Sequence, residues 1–251
     1  MPAPPPLEWK KSYEEGPYAW TSAYAARKGS SSVDIEIRIH LRPEGGVGKG
    51  ACQIVRTQAE TAFSRYFDQR FVLTDPQGQT YALRMGLRWV SAAADSHVSV
   101  CLHPKAGADE PTHWFLEAPP IHRAHELGHV LGLRDEYRDP AIPNRAAPGA
   151  PGIFTDHSLM GHYLREGEEE ADLRLRHGEQ IAADLGALFG ETFSVAPSPH
   201  YLVRPGDSLG WIAARYYGAA NQWPRLYQAN REEIGDYQRL TPGLQLSVPN
   251  G

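Results

Sequence analysis

The segment that decides the fold lies in the middle of the chain and reads Ile121-His-Arg-Ala-His-Glu-Leu-Gly-His-Val-Leu-Gly-Leu-Arg-Asp-Glu-Tyr137. His125 and His129 are four residues apart, so on a helix both imidazoles project from one face, one turn apart. Two neutral imidazole nitrogens at that separation can hold one cation, and zinc is the usual one. Glu126 follows the first histidine directly, where its carboxylate can take a proton from water at the metal and pass it to a leaving amine. The spacing therefore predicts a zinc-binding helix with its own general base.

Two features around this helix indicate a third ligand and a close packing contact. Gly132 comes three residues after His129, where a helix can end in a left-handed conformation. The chain then turns back, and Asp135 arrives as a candidate third ligand. Glu136 follows it directly and is the alternative, although the spacing favours Asp135. A glycine inside the helix, Gly128, costs about 1 kcal/mol relative to alanine, which indicates a neighbour packed closely against it.

The pattern His125-Glu126-x-x-His129-x-x-Gly132-x-x-Asp135 resembles the extended zinc motif of the metzincin metalloproteases, in the form with aspartate as third ligand found in the snapalysin group. Metzincins also place a methionine-bearing turn beneath the metal. Ser158-Leu-Met-Gly161 resembles that turn, with Met160 as its methionine. The resemblance implies an α+β catalytic domain with a mixed twisted sheet, a zinc helix, a Met-turn and a C-terminal helix. It also implies Zn²⁺ as the cofactor and a peptide or protein as the substrate.

Other polar residues near the motif are candidates for supporting roles. Tyr137, His162 and Tyr163 are placed to help stabilise a tetrahedral oxyanion, and a packing role stays open for each. His122 shares the helix face of the two motif histidines, and we expect it beside the metal site or at the surface.

A competing pattern for the third ligand lies further along the chain. Glu168-x-x-x-Asp172 resembles the downstream glutamate motif of gluzincin peptidases, in which a second helix supplies that ligand. This alternative leaves Gly132 and Met160 without an explanation, so the metzincin pattern is favoured.

Hydrophobic periodicity predicts the remaining elements of the catalytic unit. From Val33 to Leu41 apolar and polar residues alternate, as in a strand with one buried face. We predict helices at residues 54–67, 121–133 and 173–189, and strands at residues 71–73, 81–90, 97–102 and 113–116. By the metzincin resemblance, the 97–102 strand is an antiparallel edge strand that takes an extended peptide substrate by strand addition.

The last fifty or so residues resemble a LysM module with a βααβ fold. The resemblance rests on Gly206-Asp-Ser-Leu209, Tyr217-Gly218, the Leu226-x-x-x-Asn230 spacing and Pro242-Gly-x-x-Leu-x-Val-Pro249. It implies binding to the N-acetylglucosamine glycans of peptidoglycan or chitin. A LysM fold that serves as an adaptor to phage-tail or injection-machine proteins stays open. By resemblance, the glycan groove is formed by Asp207, Ser208, Leu209, Asn230 and Ile234.

Composition divides the chain into four parts. Residues 1–32 are rich in Pro, Tyr and Ser without periodicity, and we expect an irregular N-terminal extension. Residues 33–193 form the metzincin-like domain and residues 200–251 the LysM domain. Between them, residues 194–199 contain Ala196-Pro-Ser-Pro199 and are predicted to be a linker.

Charge and length exclude several classes of partner and location. The 251 residues carry a net charge of −5, which argues against nucleic acid as a partner. No apolar run is long enough to predict a membrane span. The N-terminus lacks the basic start and apolar stretch of a secretory signal. We therefore expect synthesis in the cytoplasm. Two possibilities stay open: the protein works there, or a non-Sec route, such as a contractile injection machine, exports it to the cell envelope or a target cell.

Cys52 and Cys101 are the two cysteines of the chain. Free thiols are favoured over a single bridge. Taken together, the sequence predicts a bacterial zinc endopeptidase, with a role as an effector, that a LysM module targets to peptidoglycan. The alternative is a non-catalytic cell-wall-binding or tail adaptor with a structural metal site.

Overall fold

The computed structural model describes residues 4–249, apart from the side chain of Glu169, and shows a mixed α+β fold. The predicted first and last units also include residues 1–3 and 250–251, which lie outside the described residues. The strands are β1 (Leu7–Glu15), β2 (Tyr18–Lys28), β3 (Ser32–Pro43), β4 (Phe71–Thr74), β5 (Thr80–Trp89), β6 (Val98–His103), β7 (His113–Phe115), β8 (Ser194–Pro197), β9 (His200–Leu202) and β10 (Gln245–Ser247). The α-helices are α1 (Lys49–Tyr66), α2 (Pro120–Val130), α3 (Tyr163–Glu166), α4 (Leu175–Phe189), α5 (Leu209–Tyr217) and α6 (Trp223–Ala229). Short 3-10 helices cover Ala93–Asp95, Pro143–Arg145, Glu168–Glu170 and Ala220–Gln222.

The first eight strands form one mixed, curled sheet. Its main path runs β1-β2-β3-β5-β4-β8, while β6 pairs with the second half of β3 and β7 pairs with β6. The β3–β5, β3–β6 and β6–β7 pairs are parallel, and the other pairs of this sheet are antiparallel. Strands β9 and β10 form a separate antiparallel pair in the C-terminal unit.

The alternating strand predicted from residue 33 is the central strand β3. Its apolar side chains, from Val33 to Leu41, are all buried in the main core. Val55, Ala59 and Phe63 line the buried face of α1 in the same core. The predicted alternation and the predicted helix are therefore confirmed, although Ile54, which we expected on the buried face of the helix, is 60% exposed.

The prediction of an irregular extension at residues 1–32 is wrong for the described residues. Strands β1 and β2 form an antiparallel hairpin around Gly16, which has a φ of +58°. Five consecutive residues of β2, from Ser22 to Ala26, are buried. A strand covered on both faces has no period of two, so the pattern in the sequence did not indicate it.

The predicted linker at residues 194–199 is also largely a strand. Strand β8 pairs antiparallel with β4 at the edge of the sheet, with Pro197 opposite Phe71. An edge position tolerates a proline because the missing N–H is not needed by a further strand. The connection to the C-terminal unit is therefore limited to Ser198 and Pro199.

Strand β6 lies where the sequence placed a strand, but its predicted environment is wrong. It runs parallel to β3 and to β7, and it lies between them. The short strand β7 covers the side of β6 where an edge was expected. Residues 101–103 of β6, which pair with β7, are therefore not available for strand addition of a substrate.

Buried charges join the C-terminal unit to the rest of the molecule. The carboxylate of Asp172 lies 2.9 Å from an Arg70 guanidinium nitrogen and 3.1 Å from one of Arg215, and all three side chains are at most 6% exposed. Arg215 also donates to the carbonyl oxygens of Arg65 and Tyr66 at the end of α1. These contacts fix the C-terminal unit against α1.

Two further sequence expectations can be compared with the described part of the chain. Cys52 and Cys101 are free thiols, as favoured. Within residues 4–249, no helix is long and apolar enough to cross a bilayer.

Candidate metal centre

Helix α2 holds the two motif histidines in fixed orientations. It begins at Pro120, where the fixed φ of proline suits a first helical turn, and its residues from Arg123 to Val130 are buried. The Nδ1 atom of His125 lies 2.9 Å from the carbonyl oxygen of Leu159. The Nδ1 atom of His129 lies 3.0 Å from that of Leu133. A carbonyl oxygen only accepts, so each Nδ1 carries the hydrogen and each neutral ring presents a lone pair on Nε2.

The carboxylate of Asp135 meets these two lone pairs. Its Oδ1 atom lies 3.1 Å from Nε2 of His125 and 3.4 Å from Nε2 of His129. With both neutral rings donating through Nδ1, no hydrogen points at this buried oxygen. Its other oxygen accepts a hydrogen bond of 3.1 Å from the Tyr137 hydroxyl. Three acceptor atoms that face one another need a positive charge between them, and the two-nitrogen, one-oxygen set fits zinc.

The electrostatics of the three side chains indicate the same need for a positive charge. Burial opposes ionisation of Asp135, but its contacts with His125 and His129 outweigh burial and hold its pKa well below the usual range. Burial lowers the pKa of His125, yet the carboxylates of Asp135 and Glu126 outweigh it and the net pKa is raised. Protons and a metal cation therefore compete for the same place.

The end of α2 turns the chain back toward the histidines. Gly132 has a φ of +89°, which favours glycine, and a Cβ there would lie 2.8 Å from the Tyr13 hydroxyl oxygen. The amide of Leu133 donates to the carbonyl of Gly128. The glycine bend brings Asp135 back over the helix face, as the spacing predicted.

Met160 lies directly against the helix, as part of the turn after the histidines. It is fully buried, and its Sδ atom would be 2.6 Å from a Cβ placed on Gly128. The neighbouring residue, Leu159, supplies the carbonyl that orients His125. The glycine therefore has the steric reason that the sequence indicated, and the turn supports a candidate ligand.

Glu126 is buried beside the proposed metal ligands. Its Oε1 atom lies 3.9 Å from Nε2 of His125. Burial raises the pKa of Glu126 to about 8. A cation next to this carboxyl would lower that pKa, so the group is placed to take up and release a proton near neutral pH.

The three alternative carboxylates, Glu136, Glu168 and Asp172, have other surroundings. Glu136 binds Arg176 through both oxygens at 2.6 and 2.7 Å, and it also accepts from Ser158. Burial opposes its ionisation, but Arg176 and His177 outweigh this and lower the pKa of Glu136 to about 2. In the gluzincin-like pattern Glu168 is exposed, and Asp172 is held by Arg70 and Arg215. Of the carboxylates that the sequence offered as third ligand, the structure brings Asp135 to both Nε2 atoms.

Four aromatic neighbours lie around the centre. The rings of Tyr137 and Tyr163 have centroids 6.5 and 5.8 Å from that of His125. His162 packs on Tyr137 with ring centroids 5.6 Å apart, and His122 packs on Tyr163 at 6.0 Å. It stays a prediction that Tyr137, His162 or Tyr163 helps to stabilise an oxyanion.

One neighbour of the centre was not predicted from the sequence. The ring of Trp20, on the N-terminal hairpin, meets that of His129 edge-on, with centroids 5.8 Å apart. The contact joins residues far apart in the sequence, and the strand that carries Trp20 was itself not predicted.

The C-terminal unit uses most of its predicted groove side chains internally. Asp207 accepts from the Tyr201 hydroxyl and from the amide of Arg204, both at 2.7 Å. Asn230 bonds to the carbonyl of Leu226 and to both backbone groups of Ser247. Leu209 and Ile234 are buried in the core of the unit. These four side chains therefore have partners within the unit, and their part in lining a glycan groove stays a prediction.

Ser208 is the exception among the predicted groove residues. It is exposed, and its hydroxyl accepts a hydrogen bond from the amide of Trp211 at the start of α5. Ser208 and the neighbouring main chain of this loop therefore remain accessible in the unit.

Comparison with known proteins identifies the C-terminal unit. Residues 201–249 match the family model of the LysM domain. This part of the chain is a LysM domain, and LysM domains bind the glycans of peptidoglycan or chitin. No curated protein and no solved structure matches the chain.

Proposed function

We propose that this protein is a zinc-dependent endopeptidase with a metzincin-like catalytic domain, which its LysM domain directs to peptidoglycan. The observation that carries the proposal is the convergence of Nε2 of His125, Nε2 of His129 and Oδ1 of Asp135 beside the buried Glu126. With both histidines neutral, the three acceptors need a cation between them, and zinc fits this set of ligands.

In this proposal His125, His129 and Asp135 hold Zn²⁺, which when bound supplies Lewis-acid polarisation of a carbonyl and activation of water. Glu126 takes the proton of the attacking water and later gives it to the departing amine. Leu159 and Leu133 keep both imidazoles in the required tautomer through their carbonyls. Met160 supports the helix under the two ligands.

The substrate class follows from the two parts of the molecule together. The bond cleaved is a peptide bond, either in a protein near the cell wall or in the peptides of the wall itself. The LysM domain concentrates the enzyme on glycan-bearing surfaces, which raises the local concentration of such substrates. Export through a contractile injection machine remains a prediction of the sequence.

The substitution Glu126→Gln tests the proposal. It removes the proton acceptor but none of the three proposed ligands, so we expect zinc content to stay unchanged and peptide hydrolysis to fall by about 10²- to 10⁴-fold. The readout is cleavage of an unfolded protein substrate, with and without chelator. Glu117→Gln is the matched control, because Glu117 is exposed just before α2, and it should keep full activity.

Two outcomes would contradict the proposal in different ways. Full activity in the Glu126→Gln protein would show that this carboxylate is not the base. A zinc-loaded protein that cleaves nothing would favour the non-catalytic alternative, a wall-binding or tail adaptor with a structural metal.

A further inference from the structure

A second group of metal-binding side chains lies on the outer face of β6 and β7. Along these strands Leu102 and Trp114 are fully buried in the core. Because side chains alternate along a strand, Cys101, His103 and His113 project to the opposite face. Cys101 is the register partner of His113. One candidate ligand atom from each of these three residues lies within 4.8 Å of the other two.

His103 is oriented by a carboxylate. Its Nδ1 atom lies 2.9 Å from an oxygen of Glu44, and an ionised carboxylate only accepts, so Nδ1 carries the hydrogen. The lone pair on Nε2 of His103 then faces Nδ1 of His113, 2.8 Å away. A histidine held by a carboxylate on one nitrogen and free to donate electrons from the other is the usual arrangement of a metal ligand.

We propose that Cys101, His103 and His113 form a second zinc site, separate from the centre on α2. A thiolate and two imidazoles are the soft and borderline ligands that zinc prefers among divalent cations. His113 is exposed, so water can complete a tetrahedral set from the solvent side. On binding, the Cys101 thiol releases its proton to solvent, and the His113 proton moves from Nδ1 to Nε2.

The position of the site suggests what the metal does. Residues 104–112 form the loop between β6 and β7, and the three ligands lie at its two ends. Within the loop, Asp109 accepts a hydrogen bond of 2.8 Å from the amide of Phe115, and its other oxygen lies 3.8 Å from Nε of Arg123 on α2. Zinc would close the base of a loop that packs on the helix of the candidate metal centre. The site shares no ligand with that centre, so it goes beyond the proposed function.

Cobalt spectroscopy distinguishes the two sites. Co²⁺ bound to a thiolate gives a charge-transfer absorption in the near ultraviolet, whereas the nitrogen and oxygen ligands of the centre on α2 give none. The full chain, reduced and freed of metal, is titrated with Co²⁺ alone. We expect the thiolate band in the natural protein, its loss in Cys101→Ser, and its loss or strong weakening in His113→Gln. Cys52→Ser is the matched control, since it removes the other thiol of the chain and should leave the band unchanged.

Zinc content gives an independent measurement. We expect two zinc ions per chain in the natural protein and one in each of the Cys101→Ser and His113→Gln proteins. Because His113 is exposed, its replacement tests the site even where a substitution of the buried Cys101 impairs folding. Absence of the band in the natural protein, or its survival in Cys101→Ser, would overturn the second site. One zinc per chain with the cobalt band present would support the second site and contradict the centre on α2.

Discussion

In the candidate metal centre three acceptor atoms face one another, whereas in the LysM domain the buried Asn230 is hydrogen-bonded to the main chain of its own unit. Asp135 meets two imidazole lone pairs. Asn230 instead joins the end of α6 to β10 with three hydrogen bonds. Both residues are polar and largely buried, and only their partners differ.

The difference indicates where each part of the molecule binds its ligand. Buried acceptors without donors destabilise the folded protein, and a bound cation offsets this destabilisation. Such side chains therefore indicate a candidate ligand site. Buried groups that are fully paired stabilise the fold, so their side chains are unavailable to a ligand. Of the predicted groove residues, Ser208 is the one that is exposed in the LysM domain.

The largest expected effect separates the two neighbouring carboxylates after α2. Asp135→Asn removes a proposed ligand, so we expect zinc affinity to fall by more than the roughly 10- to 100-fold typical of a lost outer partner. Glu136→Gln should keep zinc affinity and cost about 1–3 kcal/mol of stability, because it disrupts a paired carboxylate. Competition with a chromophoric chelator measures the affinity. Equal zinc affinity in the two variants would contradict the assignment of Asp135, and not Glu136, as the third ligand.

The next effect concerns the junction between the LysM domain and the rest. Asp172→Asn leaves Arg70 and Arg215 buried without a counter-charge, and we expect a loss of about 3–5 kcal/mol in the free energy of unfolding. Asp156→Asn is the control, because its side chain is 45% exposed beside Arg176 and such pairs contribute about 1 kcal/mol or less. Urea unfolding measures both. A loss in Asp172→Asn no larger than in the control would show that the junction is loose.

A smaller effect tests the packing under the metal centre. Gly128→Ala would bring a methyl group against the sulfur of Met160, and we expect a cost of about 1–3 kcal/mol. In a Met160→Ala background, which lacks the sulfur, the same substitution should cost less. Gly50→Ala is the control, since open space surrounds this glycine in α1, and it should be neutral or stabilising. Thermal unfolding compares these variants with the natural protein, and an unchanged midpoint in Gly128→Ala would contradict the close contact.

The smallest effect lies in the LysM domain. Ser208→Ala removes the cap of α5, and we expect a loss of about 1 kcal/mol. Retention on purified peptidoglycan should change little under conditions where the domain stays folded, because the Ser208 hydroxyl is already bonded to the amide of Trp211. A large loss of retention in a folded variant would show that the hydroxyl contacts the glycan directly.

Local patterns in the sequence predicted what depends on neighbours in the chain. The i, i+4 spacing of His125 and His129 defines one helix face, and the alternation along β3 defines one buried face. The glycine bend predicted the return of Asp135, because few residues separate it from the helix. Each of these features is determined by a short run of consecutive residues, so it can be predicted from the sequence.

What the sequence did not predict depends on contacts between distant segments. Strand β6 became an interior, parallel strand because β7 pairs on its outer side. The hairpin of β1 and β2 carries no period of two because β2 is covered on both faces. In the LysM domain, the motif identified the fold, but the partners of Asp207 and Asn230 depend on which strands and turns meet in three dimensions.

The N-terminal hairpin has a consequence for any trimming of the chain. Trp20 lies against His129, and Tyr13 donates a hydrogen bond of 2.9 Å to Asp184 on α4. Proteolytic removal of the described residues up to Lys28 would remove β1 and β2 from the sheet. It would also expose to solvent the side of His129, a proposed metal ligand, that Trp20 covers. Residues 7–28 are therefore part of the packing around the candidate metal centre.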